Sequence, residues 1–306
     1  MRNTFAEKFY QLAKDDKRLN IVVADISPAG AMNNFRKDFP ERFVNTGVAE
    51  QIMISMVAGM AMRGLRPFAY TIATFALYRP FEFIRDDICY QNLPVTIVGI
   101  GGGVTYSTLG GTHHAQEDVS IARSLPNMRV LSPCDPDETK AITEWCAKNN
   151  DGPAYLRLGK AGEPNLSTSS AEKFKFGKIR YLKKGSDICV LGYGTILSKA
   201  FDLDKLLTEN GVSISIVSIH SIKPIDEEGI YKILTKYKKI ITLEEMSSVG
   251  GLADIVKSFA FDNKLFDCEI YNFSLKDKFI HCYGSHDDLL EKHSLTVKNI
   301  MDKLKL

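Results

Sequence analysis

Glu50 stands near the start of "VNTGVAEQIMISMVAGMAMRG" (44–64), a run otherwise apolar and rich in Gly, Ala and Met. A carboxylate in the first turn of a helix is stabilised by the positive end of the helix dipole. The same position suits a second use, a carboxyl group held against a nitrogen base to share a proton in a dry site. Val48, Ile52 and Met53 flank it and supply an apolar setting for that exchange. Position alone allows both uses. The run "GGGVTYSTLGGTHHAQED" (101–118) is glycine-rich. It lacks the Lys-Ser/Thr of a phosphate loop and the spacing of a dinucleotide fingerprint, so its expected use is flexibility and close approach by a ligand. His113 and His114 are adjacent. Neighbouring side chains diverge, which argues against a two-histidine metal pair, and no metal ligand is assigned. A loop histidine is either structural or a proton-transfer group, and a glycine loop at a strand end favours the second. Phe75, Tyr78 and Phe81 recur at helical spacing. Such a stripe is either core or an aromatic wall for a planar ring.

The elements that must position these groups follow from hydrophobic pattern. The chain has 306 residues, which suggests about two domains. A quarter of the residues are charged and the net charge is +2, so nothing draws the chain to nucleic acid or membrane. We find no run of 18 apolar residues, and "MRNTFAEKFYQLAKDDKR" is polar and helical in period, unlike a signal peptide. The six cysteines (Cys89, Cys134, Cys146, Cys189, Cys268, Cys282) form no CxxC pair; buried free thiols in a reducing cytoplasm are expected.

"NIVVAD" (20–25), "RPFAYTIA" (66–73), "PVTIVGIG" (94–101), "MRVLSP" (128–133) and "PAYLRL" (153–158) read as strands. They lack polar alternation, the mark of a parallel sheet covered on both faces. Helices fit at 3–14, 48–63, 75–91, 116–125 and 135–149, the last opened by "SPCDPDET" with Asp135 or Asp137 near the N-cap. The polar stretch 159–186 reads as a linker with a short hairpin. Alternation resumes with strands at 187–195, 212–219, 238–245 and 267–273 and helices near 196–209, 226–235, 250–260 and 286–304. The expected fold class is α/β, with two doubly wound domains: 1–160, a linker 161–185, and 186–306. Open parallel sheets bind ligands beyond the carboxyl ends of their strands. Asp25, Glu50, the aromatic stripe, the glycine loop with its histidines, and Lys160 all follow such ends.

In that order, "FPERFVNTGVAEQ", "ATFALYRPFEFIRDDI", "GGTHHAQEDVSIARSLPNMRVLSPCDPDET", "DGPAYLRLGK" and "EEMSSVGGL" resemble the C-terminal half of the transketolase family. That family includes deoxyxylulose-phosphate synthase and the β subunits of 2-oxoacid dehydrogenases. The resemblance covers essentially the whole chain and implies a pyrimidine-binding domain followed by a transketolase C-terminal domain, the latter with a mostly parallel sheet. It also implies thiamine diphosphate as cofactor. Glu50 matches the glutamate that hydrogen-bonds the aminopyrimidine ring and so activates the cofactor. Phe75 and Tyr78 match the aromatics that pack on that ring, with Phe81 assigned to the same wall. His113 matches the histidine that handles donor oxygens and protons, and His114 is placed beside it as a substrate-binding residue. Asp25 matches a substrate-side aspartate, and Arg2 and Lys160 stand where an anionic end would be held.

The chain carries no "GDG…N" motif. The resemblance is therefore to one half of a split transketolase, whose N-terminal subunit would hold the diphosphate and its Mg²⁺ or Ca²⁺ in an α2β2 assembly acting on small sugars. Some positions depart from the pentose-phosphate pattern: Ala29 for a serine, Gly101 for a histidine, Leu109 for an aspartate, and Lys160 for an arginine. Lysine keeps the charge but loses the bidentate fork. The expected reaction is transfer of a two-carbon ketol unit from a ketose donor to an aldehyde or sugar acceptor. A decarboxylating 2-oxoacid enzyme and a non-catalytic scaffold are the alternatives. "GYGT" (192–195) reads as a strand-to-helix turn, and His220, His281, His286 and His293 as surface or structural.

Overall fold

The computed structural model describes residues 1–27, 30–167 and 171–305; Ala29 therefore lies outside the described residues. The first half runs α1 (Arg2–Asp15), β1 (Leu19–Val23), α2 (Ala31–Asp38), β2 (Phe43–Asn45), α3 (Glu50–Met62) and β3 (Arg66–Ile72). It continues with α4 (Ala73–Leu77), α5 (Phe81–Phe83), a π-helical segment (Ile84–Tyr90) and β4 (Thr96–Ile100). Then come α6 (Asp118–Ser124), β5 (Arg129–Leu131), α7 (Pro136–Lys148) and β6 (Ala154–Leu158). The second half runs β7 (Arg180–Lys183), β8 (Ile188–Gly192), α8 (Leu197–Glu209), β9 (Ile214–Ser218) and β10 (Ser221–Lys223). It ends with α9 (Glu227–Lys236), β11 (Lys239–Ser247), α10 (Leu252–Asp262), β12 (Glu269–Leu275), α11 (His286–Lys292) and α12 (Val297–Leu304).

Among the described residues these strands form a seven-stranded sheet, order β10-β5-β6-β4-β3-β1-β2, and a five-stranded sheet, order β12-β11-β8-β9-β7. Pairing is parallel except at one edge of each, where β10 runs antiparallel to β5 and β7 to β9. Every residue of β1, β3, β4 and β6 is buried. Helices cover both faces, which is why these strands show no alternation. On one face of the first sheet Phe5, Phe9, Phe35 and Phe68 pack together. On the other, Met53, Ile54 and Val57 of α3 join a core that continues into the second half through Leu191, Val217 and Ile233.

The structure departs from the sequence expectations in several places, and α2 is an element the pattern did not announce. The helix expected over 75–91 is broken: α4 stops at Leu77 and α5 restarts after Pro80. Proline lacks the N–H and disfavours helix in the residue before it. The helix expected over 286–304 splits at Ser294, whose φ is 60°. Residues 180–183, expected in the linker, form edge strand β7, which Glu172 steadies by donating its N–H to the Tyr181 carbonyl at 2.9 Å. Ser221–Lys223 leaves the second half to extend the first sheet, so the two halves share a strand edge. Asp135 is the N-cap of α7, its carboxylate accepting from the Glu138 N–H. The six cysteines are free thiols, with Cys89, Cys134, Cys146 and Cys189 buried. Among the described residues no helix is long and apolar enough to cross a membrane.

Candidate active site

The carboxyl ends of β1, β3, β4 and β6 lie along one edge of the first sheet. After β2 the chain turns at Gly47, with φ 67°, and enters α3 at Glu50. The Glu50 residue is 2% exposed. Its Oε2 accepts a hydrogen bond from Arg79 Nη1 at 2.7 Å. Arg79 sits in the break between α4 and α5, and its guanidinium carbon lies 4.7 Å from the centre of the Phe75 ring. Phe75 in turn meets His113 edge-on, with centroids 5.2 Å apart. Glu50, Arg79, Phe75 and His113 are thus one contiguous chain of contacts.

Burial pulls the His113 imidazole below its ordinary value, so it is neutral near pH 7. Its Nδ1 lies 2.9 Å from Thr112 Oγ1. Beyond it, Tyr106 lies 6.2 Å from His113 between ring centroids, and Lys160 Nζ lies 5.1 Å from the Tyr106 ring centre. Arg2 is close enough that its charge opposes the rise that burial imposes on Tyr106. The Arg2 Nε has no hydrogen-bond partner among the described residues. Two cations therefore flank the tyrosine next to His113. Asp25 is exposed at the end of β1, with φ 62°, and its main chain bonds to the Asn45 side chain rather than to the histidine cluster.

The aromatic stripe divides. Phe75 faces the site. The Tyr78 hydroxyl donates to Glu117 Oε2 at 2.9 Å and accepts from the Glu117 N–H at 3.2 Å. Burial pushes this phenol well above its ordinary range. Tyr78 and Phe81 pack on the core beneath α3. The flanking apolar residues divide too: Met53 is buried, whereas Val48 and Ile52 are 70% and 58% exposed. The dry setting expected around Glu50 is therefore only half built by this chain.

His114 turns away from His113, as adjacent side chains do. It is 3% exposed. Burial lowers its pKa, opposed first by a contact with the Tyr106 main chain and then by Glu245 of the second half. The first three glycines of the loop are packed by side chains. A Cβ at Gly101 would overlap Tyr106, one at Gly102 would overlap Arg157, and one at Gly103 would overlap Glu245.

Sequence reasoning missed two features. Arg79 is the first; its signal was a lone cation four residues after Phe75, hence on the same helical face. The second is the junction between halves. Asp118 Oδ2 accepts from Tyr155 Oη and from Arg157 Nε, both at 2.8 Å, while Arg157 Nη2 donates to the Glu245 carbonyl at 2.8 Å. Glu245 Oε1 accepts from the Val104 N–H and lies 2.8 Å from His286 Nε2. Nearby, Glu244 accepts from the Leu252 and Ala253 N–H groups at the start of α10 and from the Tyr193 hydroxyl. The family-like run "EEMSSVGGL" is thus structural here: its two glutamates tie α10 and the glycine loop to the sheets.

The donor set at Glu50 fits an aminopyrimidine. The Arg79 guanidinium, itself a flat hydrogen-bond donor, already binds the carboxylate and lies against Phe75. Among the described residues no three His, Cys, Asp or Glu side chains group to hold a metal ion.

Residues 1–163 match the family model "Transketolase, pyrimidine binding domain", and residues 177–300 match "Transketolase, C-terminal domain". The chain is 32% identical to an apulose-4-phosphate transketolase subunit of Phocaeicola vulgatus, over 86% of this chain and 84% of that one. It is 35% identical to a putative transketolase C-terminal section of Methanocaldococcus jannaschii, over 100% and 96%. It is 33% identical to 1-deoxy-D-xylulose-5-phosphate synthase of Bacillus cereus, over 98% of this chain but 47% of the synthase. Among solved structures, a split-gene transketolase described as an inactive β4 tetramer superposes with a TM-score of 0.88 at 32% identity, covering 99% of this chain and 96% of that one. The chain belongs to the transketolase family and spans its pyrimidine-binding and C-terminal domains.

Proposed function

We propose that the chain is the C-terminal subunit of a split, thiamine diphosphate-dependent transketolase that moves a two-carbon ketol unit from a ketose donor to an aldehyde or sugar acceptor. The observation that carries this reading is the buried Glu50 carboxylate, bonded to a flat donor that lies against Phe75. In this reading residues 1–160 are the pyrimidine-binding domain and 186–306 the C-terminal domain. A separate N-terminal subunit supplies the diphosphate and Mg²⁺ or Ca²⁺ site in an α2β2 assembly. That subunit would also cover Val48 and Ile52, whose exposure leaves the site half-walled. Free thiols suit a reducing cytoplasm.

When bound, thiamine diphosphate supplies the carbon nucleophile that cleaves the bond next to a carbonyl and carries the two-carbon unit. Glu50 holds the pyrimidine and shares a proton with its ring nitrogen. Phe75 forms one wall. His113, neutral near pH 7, accepts a proton or hydrogen bond from the donor's hydroxyl. Arg2 and Lys160 offer positive charge to an anionic substrate end beside Tyr106, and Asp25 reads a hydroxyl at the open edge. Tyr78 and Phe81 support the wall from behind.

The synthase relative gives a second reading, decarboxylation of a 2-oxoacid donor. The complex of this chain with its N-terminal subunit separates the two. It would be supplied with thiamine diphosphate, Mg²⁺, aldehyde acceptors, and either ketose phosphates or pyruvate. Transfer from a ketose without CO₂ release is expected. CO₂ release from pyruvate selects the second reading, and a folded complex inert to both substrates selects a scaffold.

A further inference from the structure

Glu50 is almost fully buried, and a buried carboxylate without a partner is strongly unfavourable. The chain answers this with Arg79, and the manner of the answer is informative. Arg79 touches the two groups assigned to the pyrimidine, and it does so in the way a pyrimidine would. One N–H reaches Oε2 of Glu50 at 2.7 Å, and the guanidinium lies over the Phe75 ring at 4.7 Å. A planar, delocalised cation that both donates and stacks is a close chemical analogue of a protonated aminopyrimidine.

Three features mark the contact as exchangeable. The Arg79 side chain is 41% exposed, so it can leave without crossing packed core. It sits between α4 and α5, just before Pro80, rather than inside a helix. Its only side-chain hydrogen bond among the described residues is the one to Glu50. The buried Arg157 differs on all these points, being locked by Asp118 and the Glu245 carbonyl.

We propose that Arg79 is a placeholder: in the chain without cofactor its guanidinium fills the pyrimidine's place on Glu50 and Phe75, and cofactor entry displaces it towards solvent. This rests on the reading of Glu50 and Phe75 as the pyrimidine site. The arginine keeps the carboxylate paired before cofactor arrives, and its displacement weakens cofactor affinity. Arg79 is thus a positioning and gating residue, not a catalytic one.

The test uses the complex of this chain with its N-terminal subunit, with thiamine diphosphate and Mg²⁺ as probe. Affinity is measured by calorimetry for the wild type, Arg79→Gln, Arg79→Lys and Glu50→Gln. Arg79→Gln should bind about threefold or more tightly than wild type, because nothing must be displaced. Arg79→Lys, which keeps charge but not the flat stack, should fall between them. In ¹⁵N NMR, saturating cofactor should move the wild-type Arg79 side-chain signal to its position in Glu50→Gln without cofactor. Weaker binding by Arg79→Gln, or an Arg79 signal that stays put on saturation, overturns the placeholder while Glu50-dependent binding preserves the pyrimidine reading. Binding that Glu50→Gln leaves unchanged overturns both. Binding by none of the four complexes overturns both readings.

Discussion

Two of the buried carboxylates that pair with an arginine, Glu50 and Asp118, have little else in common. Glu50 meets an Arg79 that is 41% exposed and makes one hydrogen bond to it. Asp118 meets an Arg157 that is 6% exposed, and a tyrosine hydroxyl and a main-chain carbonyl complete that network. The first pair lies at the strand ends with Val48 and Ile52 exposed alongside; the second lies where the glycine loop meets the second half. A dry network held by several donors at once resists change. A buried carboxylate held by one solvent-facing cation leaves room for a different donor. The contrast separates residues that join the halves from residues that wait for a ligand.

Chemistry and stability should therefore respond oppositely at the two pairs. The largest effect expected is on activity: Glu50→Gln should lower turnover of the assembled enzyme by about 100-fold or more, the usual scale for a lost proton-sharing group. Its unfolding midpoint should barely move, because Arg79 can turn to water. A loss of fold in circular dichroism would place Glu50 with the structural network instead. Next is Arg157→Met, which strands Asp118 in the interior. Denaturant titration should show a loss of about 3–5 kcal/mol. A loss below about 1 kcal/mol would mean that the junction is no tighter than the site.

The junction should also carry pH sensitivity of two opposite signs. Burial pulls His286 down, but Glu245 outweighs it, so the folded value lies above the ordinary 6.5. Its contribution is full below pH 6.5 and is lost as pH rises through the raised folded value. Burial, then Lys278 and Lys276, pulls His293 from 6.5 down to about 4. The unfolded chain binds that proton more readily, so this contribution is present above pH 6.5 and is lost as pH falls towards 4. Stability against pH should fall on both sides. His286→Gln should flatten the alkaline limb and His293→Leu the acid one, and a variant that alters the wrong limb would refute the assignment. The smallest effect belongs to Tyr78→Phe. Losing its hydrogen bonds to Glu117 should cost about 1 kcal/mol. Turnover should change less than about threefold, since the hydroxyl faces the start of α6. A large fall in turnover would move Tyr78 into the site.

Much of the site was legible because its residues follow strand ends. Glu50, Phe75, His113 and Lys160 come from separate stretches, and parallel topology alone brings them to one edge. Tyr78 and Phe81 were harder. Helical spacing says that three aromatics share a face, but α4 ends at Leu77, and Phe75 turns to the site while Tyr78 and Phe81 pack on the core. The glycine loop poses a related problem. Glycines permit close approach, and the pattern does not say what approaches; here it is Arg157, Glu245 and Tyr106.

Burial on both faces of a parallel sheet demands continuous apolar runs, so the α/β class and most strands could be read from the chain in order. Proximity in sequence likewise made Glu50 a first-turn carboxylate and put Asp135 or Asp137 at an N-cap, of which the fold takes Asp135. Contacts between residues far apart in the chain had to await the tertiary structure. Arg79 reaches Glu50 across 29 positions, and Val104 reaches Glu245 across 141. Residues 221–223 leave their own half to edge the other sheet. Local pattern sets which face a side chain takes, whereas its partner depends on how whole layers pack, and that is written in no short stretch of sequence.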